Sequence, residues 1–162
     1  MFILVRALVY GSAFVGFVLV FLPARAVEWT GASAPPAPGV LQWTGGALVL
    51  VGIVPMAWSF LAFVFRGRGT PAPFDPPRAL VVDGPYGFVR NPMYLGAILS
   101  LAGAAVYYRS FGLTAYAAGF VAWAHLFVVF YEEPRLRRTF GEGYAAYCRS
   151  VDRWLPRRPP TR

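Results

Sequence analysis

The sequence predicts an all-α integral membrane bundle, four spans followed by a C-terminal amphipathic helix, in a single domain over residues 1–162. Three observations carry this. Hydrophobic residues make up 57% of the chain and charged residues 14%, with mean hydropathy +0.52, too apolar for a soluble domain of this length. The apolar residues fall in long runs, near the roughly 20 residues that cross a bilayer. All the cations are arginine, and they cluster between and after those runs.

The first span is expected over about Phe2 to Leu22. Ala24, Arg25 and Ala26 follow it as a cleavage-like pattern, but its apolar run exceeds the roughly 7–15 residues of a signal core, so the span is expected to be retained. Pro23 to Gly39, rich in Ala and Pro, suits an extended connection. The second span covers Val40 to Phe65. The loop from Arg66 to Val82 holds Pro71, Pro73, Pro76 and Pro77, so it is not helical throughout and runs along the membrane surface. The third span, Tyr94 to Tyr108, is short and must begin near Pro92 or be tilted little; Arg109 and Ser110 separate it from the fourth, Phe111 to Tyr131. From Glu133 to Tyr147 an amphipathic helix is expected, with Leu136, Phe140, Tyr144 and Tyr147 spaced by three and four opposite Arg137, Arg138 and Glu142. Gly141 and Gly143 weaken it locally. Small residues spaced by four, Gly96, Ser100 and Ala104 on the third span and Ser12 and Gly16 on the first, are expected at close helix contacts.

Orientation follows from the arginines. With four spans both termini share one side, which then holds thirteen of the fifteen arginines, leaving only Arg25 and Arg109 opposite. By the positive-inside rule that side is cytoplasmic, giving a multi-pass protein of the cell membrane with both termini inside. The net charge of +8 is accounted for by this asymmetry and by anionic lipid, so no nucleic-acid partner is expected. One histidine and one cysteine, Cys148, exclude an internal disulfide and give no basis for a metal centre. Cys148 itself reads as a partly buried small residue of the tail. No Gly-x-Gly-x-x-Gly fingerprint and no Ser or Cys nucleophile with a base at a recognisable spacing is present.

Chemistry concentrates in two polar blocks, 84–96 and 132–157, which flank the hairpin of the last two spans and therefore return to the same membrane face. Asn91 and Pro92 form a helix start, Asn as cap and Pro at the first position. The exposed positive end of the helix suits an anion, which Arg90 beside it would favour. Tyr86 and Tyr94 offer aromatic faces to a cation, and Gly84 and Gly96 permit close backbone approach. His125, ionisable within a span, is a functional candidate, and Glu132 seven residues on is expected on the same inward face. Glu132 and Glu133 need partners: one suits a ligand hydroxyl or amino group, the other Arg137 one turn on, and the spacing leaves open which does which.

At Gly84-Pro85-Tyr86, Arg90-Asn91-Pro92, Tyr94, Gly96, Glu132-Glu133, Phe140-Gly141, Tyr144, Tyr147 and Arg153-Trp154 the chain resembles the isoprenylcysteine carboxyl methyltransferase family and its relatives, the phospholipid methyltransferases. The resemblance covers roughly the C-terminal half, with Asp152 standing where the family usually has Pro before the Arg-Trp pair. It implies S-adenosylmethionine as cofactor, held by Gly84, Tyr86, Arg90, Asn91, Pro92, Tyr94, Gly96, His125, Glu132, Glu133 and Tyr144. It also implies a lipid or other lipophilic acceptor arriving from the bilayer. An acceptor carboxylate would need only orientation, by Arg135 or Arg153; an amine or thiol would need a base, His125 or Glu132. Two other readings are an NADPH-dependent membrane sterol or steroid reductase, which has a related helical core, and a non-catalytic membrane adaptor.

Overall fold

The computed structural model describes residues 9, 11–67 and 79–156. The start of the first span with Arg6, the prolines of the loop at 71–77, and the arginines at 157, 158 and 162 lie outside the described residues. Every regular element among the described residues is helical. Helix α1 covers Gly11–Trp29 and α2 Val40–Phe65. A single 3-10 turn, Gly84–Gly87, precedes α3, Pro92–Tyr108. Helix α4, Phe111–Phe127, passes through a π-helical turn, Val128–Glu132, into α5, Glu133–Ser150. The molecule is an all-α membrane bundle: α1, α2 and the continuous helix from Phe111 to Ser150 are each long and apolar enough to cross a bilayer. The 17 residues of α3 reach about 26 Å, slightly less than the ~30 Å hydrocarbon core.

Two boundaries differ from the sequence reading. Helix α1 runs seven residues beyond Leu22, because Pro23 falls in the first turn after a π-helical stretch, Gly16–Phe21, and Ala24, Arg25 and Ala26 are good helix formers. The fourth span and the tail helix, read as separate elements ending at Tyr131 and starting at Glu133, form one continuous helix; Pro134 sits at the start of α5, where a missing N–H costs little. The break comes later, at Gly141, whose φ of 51° and ψ of −127° suit glycine almost alone.

Helices α2 and α3 form the closest pair. A Cβ built on Gly45 would lie 2.6 Å from the Gly103 carbonyl oxygen, and one on Gly52 closer still to that of Gly96, so two pairs of glycines seven residues apart let the antiparallel backbones touch. Ser100 Oγ donates to the Val49 carbonyl at 3.4 Å, and the buried Gln42 donates to that of Tyr107 at 3.1 Å, tying the same two helices. Helix α4 packs on the other side of α3, and α1 against α4. Arg109, at φ 49°, ends α3 in the left-handed region, and Ser110 Oγ caps α4 by accepting from Leu113 N at 3.3 Å. The expected close contact at Gly16 does not form, since a Cβ there would meet nothing within 4 Å; in α1 the small residue pressed on a neighbour is Gly11, beside the Phe60 ring.

Candidate functional site

The helix ends bring the two polar blocks together at one end of the bundle. Gly84 opens the 3-10 turn at φ 64°, a conformation that penalises any side chain, and Trp58 of α2 packs where a Cβ would stand, 3.2 Å from the indole nitrogen. The turn drives Tyr86 inward. Its ring meets Phe63 edge-on at 5.4 Å, its carbonyl accepts from the Tyr147 hydroxyl at 2.7 Å, and burial raises its own pKa. Ser59 of α2, fully buried, approaches the Tyr86 hydroxyl without a well-formed hydrogen bond.

Pro92 occupies the first position of α3 as expected, but Asn91 makes no side-chain cap. Its amide donates instead to the Arg153 carbonyl at 3.1 Å, because the tail after α5 folds back over this helix start and supplies an acceptor. Arg90 N donates to the Asp152 carbonyl at 2.9 Å, a second clasp between the blocks.

The two acids separate. Glu133, 6% exposed, accepts from Arg153 through both oxygens, at 2.6 and 2.9 Å, and pairs with Arg90 at 3.1 Å. Burial raises its pKa, but the Arg153 hydrogen bonds and the two guanidinium charges outweigh that and hold the carboxyl below its ordinary value. Arg137, the partner the helical spacing offered, lies over the Tyr144 ring instead, 5.8 Å from its centroid. The cluster Arg90, Glu133 and Arg153 carries one net positive charge. Arg90 Nη1 also lies 2.7 Å from Sγ of the half-buried Cys148, and its Nε is buried with no acceptor. Tyr144, almost fully buried, has its pKa raised by burial and by the nearby Glu133.

Glu132 faces the other way. It accepts from the Tyr94 hydroxyl at 3.2 Å, joining the end of the fourth apolar run, which stops at Tyr131, to the start of α3. Burial, with a smaller contribution from the charge of Glu133, pushes its carboxyl up to about 7 despite the Tyr94 hydrogen bond. Around this pair stand aromatic rings: Trp154 6.5 Å and Trp123 6.4 Å from Tyr94, both edge-on. Trp154 entered the sequence reading only as part of the Arg153-Trp154 pair of the second block, and Trp123 and Trp58 were not singled out; only their aromatic character could have signalled those two.

His125 is not turned into the bundle, but it touches this cluster through Trp154. It is exposed, and its Nδ1 accepts from the Trp154 indole at 3.1 Å. The two-turn alignment of His125 with Glu132 assumed α-helix throughout. The π-helical turn over Val128–Glu132 is one residue wider and rotates the residues after it by about a quarter turn. Arg135 is turned to Tyr131, donating to its hydroxyl at 2.9 Å. The close approach that Gly96 permits is to the Gly52 backbone of α2, so its missing side chain serves helix packing. Among the described residues no group of three or more His, Cys, Asp or Glu could hold a metal ion.

A carboxylate near neutrality beside a tyrosine hydroxyl and aromatic faces can hold a cation or accept a proton, while the arginine cluster one turn away can hold an anion. Comparison with known proteins bears on this arrangement. A family model described as phospholipid methyltransferase matches residues 40–143, from the start of α2 through the Tyr94–Glu132 pair into α5. No curated protein and no solved structure shows a match.

Proposed function

Because the chain belongs to the phospholipid methyltransferase family, we propose that it transfers the methyl group of S-adenosylmethionine to a lipophilic acceptor where α3 begins and the apolar part of α4 ends. The observation that carries this is the Tyr94–Glu132 hydrogen bond, with Trp123 and Trp154 edge-on to the Tyr94 ring. The residues fit the cofactor in kind. Tyr94 and Trp154 would offer aromatic rings to a sulfonium, an attraction of roughly 0.5–2 kcal/mol. Glu132 can accept from ribose hydroxyls or an amino group, and the buried Arg90 Nε lacks the acceptor that a carboxylate would supply. When bound, S-adenosylmethionine supplies an electrophilic methyl group whose sulfur leaves as a neutral thioether.

The chain's own residues then have limited work: to align the acceptor, exclude water and take a proton where the acceptor carries one. Arg153 is committed to Glu133 and Arg135 is turned to Tyr131, so neither is disposed to orient an acceptor carboxylate. Glu132, with its carboxyl near 7, suits an amine or thiol acceptor, taking its proton as the new bond to the methyl carbon forms. The bilayer supplies such an acceptor from the side, at the level where the apolar part of α4 ends.

Calorimetry of the purified protein with S-adenosylmethionine and with NADPH tests the reading. Binding of the methyl donor, weakened in Tyr94→Ala and Glu132→Ala while both variants stay folded, is the expected result. Affinity for NADPH alone would replace it with a reductase; affinity for neither would indicate an adaptor.

A further inference from the structure

Between α1 and α4 an apolar groove of about 360 Å³ opens sideways from the bundle, in the size range of small-molecule sites. Phe14, Val18 and Leu22 line one wall, four residues apart on α1; Tyr116, Gly119, Phe120 and Trp123 line the other. The stretch from Phe14 to Leu22 spans about 12 Å along the helix. Midway along the α1 wall the Tyr116 hydroxyl donates to the Val18 carbonyl at 2.7 Å, pinning α1 to α4, with Leu22 beyond it. At its near end lies Trp123, whose ring meets both Phe14, at 6.5 Å, and Tyr94, the partner of Glu132.

Resting on the proposed methyl transfer, we infer that this groove holds the apolar chain of the acceptor, with the reacting head at Tyr94 and Glu132, and that Gly119 sets how much chain it admits. Trp123 stands where the groove abuts the site, lining the one and meeting Tyr94 of the other, and the lining residues run along α4 from that end toward Tyr116. A bilayer lipid already lies in that direction, head at the surface and chain inward. Gly119 bears the specificity because a Cβ built there meets nothing within 4 Å: its missing side chain leaves open space in the wall, not room for a neighbouring helix. A larger residue would therefore fill the groove without displacing the fold.

The experiment uses the full-length protein in detergent, comparing wild type, Gly119→Leu, and Gly46→Leu as a control, since Gly46 on α2 also faces open space. Two readouts are taken. In the first, phosphatidylethanolamine carrying a diazirine in its acyl chain is photolysed and the labelled peptides are mapped. The inference expects label on the groove walls in wild type and Gly46→Leu and its loss in Gly119→Leu. In the second, kcat/KM is measured with dipalmitoyl and dibutyryl phosphatidylethanolamine. Gly119→Leu should lower it about tenfold or more for the long chain, the worth of about two buried methylenes or more, and leave the short chain near wild type. Label spread over all lipid-facing surfaces, label unchanged in Gly119→Leu, or equal loss for both chain lengths would overturn the assignment. Photolabelling does not depend on turnover, so groove labelling without methyl transfer would leave the groove standing and sink the catalytic reading instead.

Discussion

Glu133 accepts two hydrogen bonds from Arg153 and faces Arg90, and these interactions lower its pKa although burial alone would raise it. A carboxyl whose folded pKa lies below its unfolded value contributes stability that is fully present above the unfolded value, about 4.5, and is lost as pH falls through the folded one. Glu133→Gln should therefore melt earlier than wild type at neutral pH, by about 1.5–3 kcal/mol of unfolding free energy, and the two should converge in acid. Thermal melts in detergent across roughly pH 3–8 check this. Glu132 carries the opposite sign. Burial raises its carboxyl to about 7, so its contribution to stability is present below its unfolded value and lost as pH rises through 7. Glu132→Gln, which cannot ionise, should then be more stable than wild type above pH 7 while losing methyl transfer. The wild-type rate should rise with pH through about 7 as the working carboxylate forms. A rate independent of pH between roughly 6 and 8 would remove Glu132 as the base.

The glycine pairs Gly45–Gly103 and Gly52–Gly96 set the distance between α2 and α3, and through it the placement of Trp58 under the Gly84 turn. Gly52→Ala should force the helices apart at a cost of about 1–3 kcal/mol, the usual range for overpacking, whereas Gly46→Ala on the same helix should be silent; melting curves of the two variants decide it. This pairing was half legible. The small residues of α3 announce a packing face, but their partners on α2 lie within an apolar run that has no other mark. The four helices themselves could be read because long apolar runs, a proline after an asparagine and an arginine–serine pair each have one structural meaning. The inward orientation expected of His125 fails because nothing in Val128 to Glu132 distinguishes a π-helical turn from an α-helical one. Asn91 was given a capping role that the returning tail took over, a contact from 62 residues away that no local pattern encodes. The choice between Glu132 and Glu133 was open for the same reason, since Arg90 and Arg153 meet only in the folded chain.

At the scale of the whole molecule, thirteen of the fifteen arginines lie on one side of a four-span reading, so both ends of the chain are proposed to be cytoplasmic. Reporter fusions at Pro36 and at Arg162 should report opposite compartments; the same compartment at both would contradict the four-span topology. Within that proposed topology the two polar blocks would meet on the cytoplasmic face, where the proposed methyl donor would be reached from water and a lipophilic acceptor from lipid. A lipophilic acceptor from the membrane remains the proposal that follows from the family. The most direct test of this account is to incubate the purified protein with methyl-labelled S-adenosylmethionine together with either a membrane lipid extract or a soluble cytosolic fraction. The account predicts label in the lipid or hydrophobic small-molecule fraction, and its loss in Glu132→Gln. Label found only in water-soluble macromolecules would contradict it.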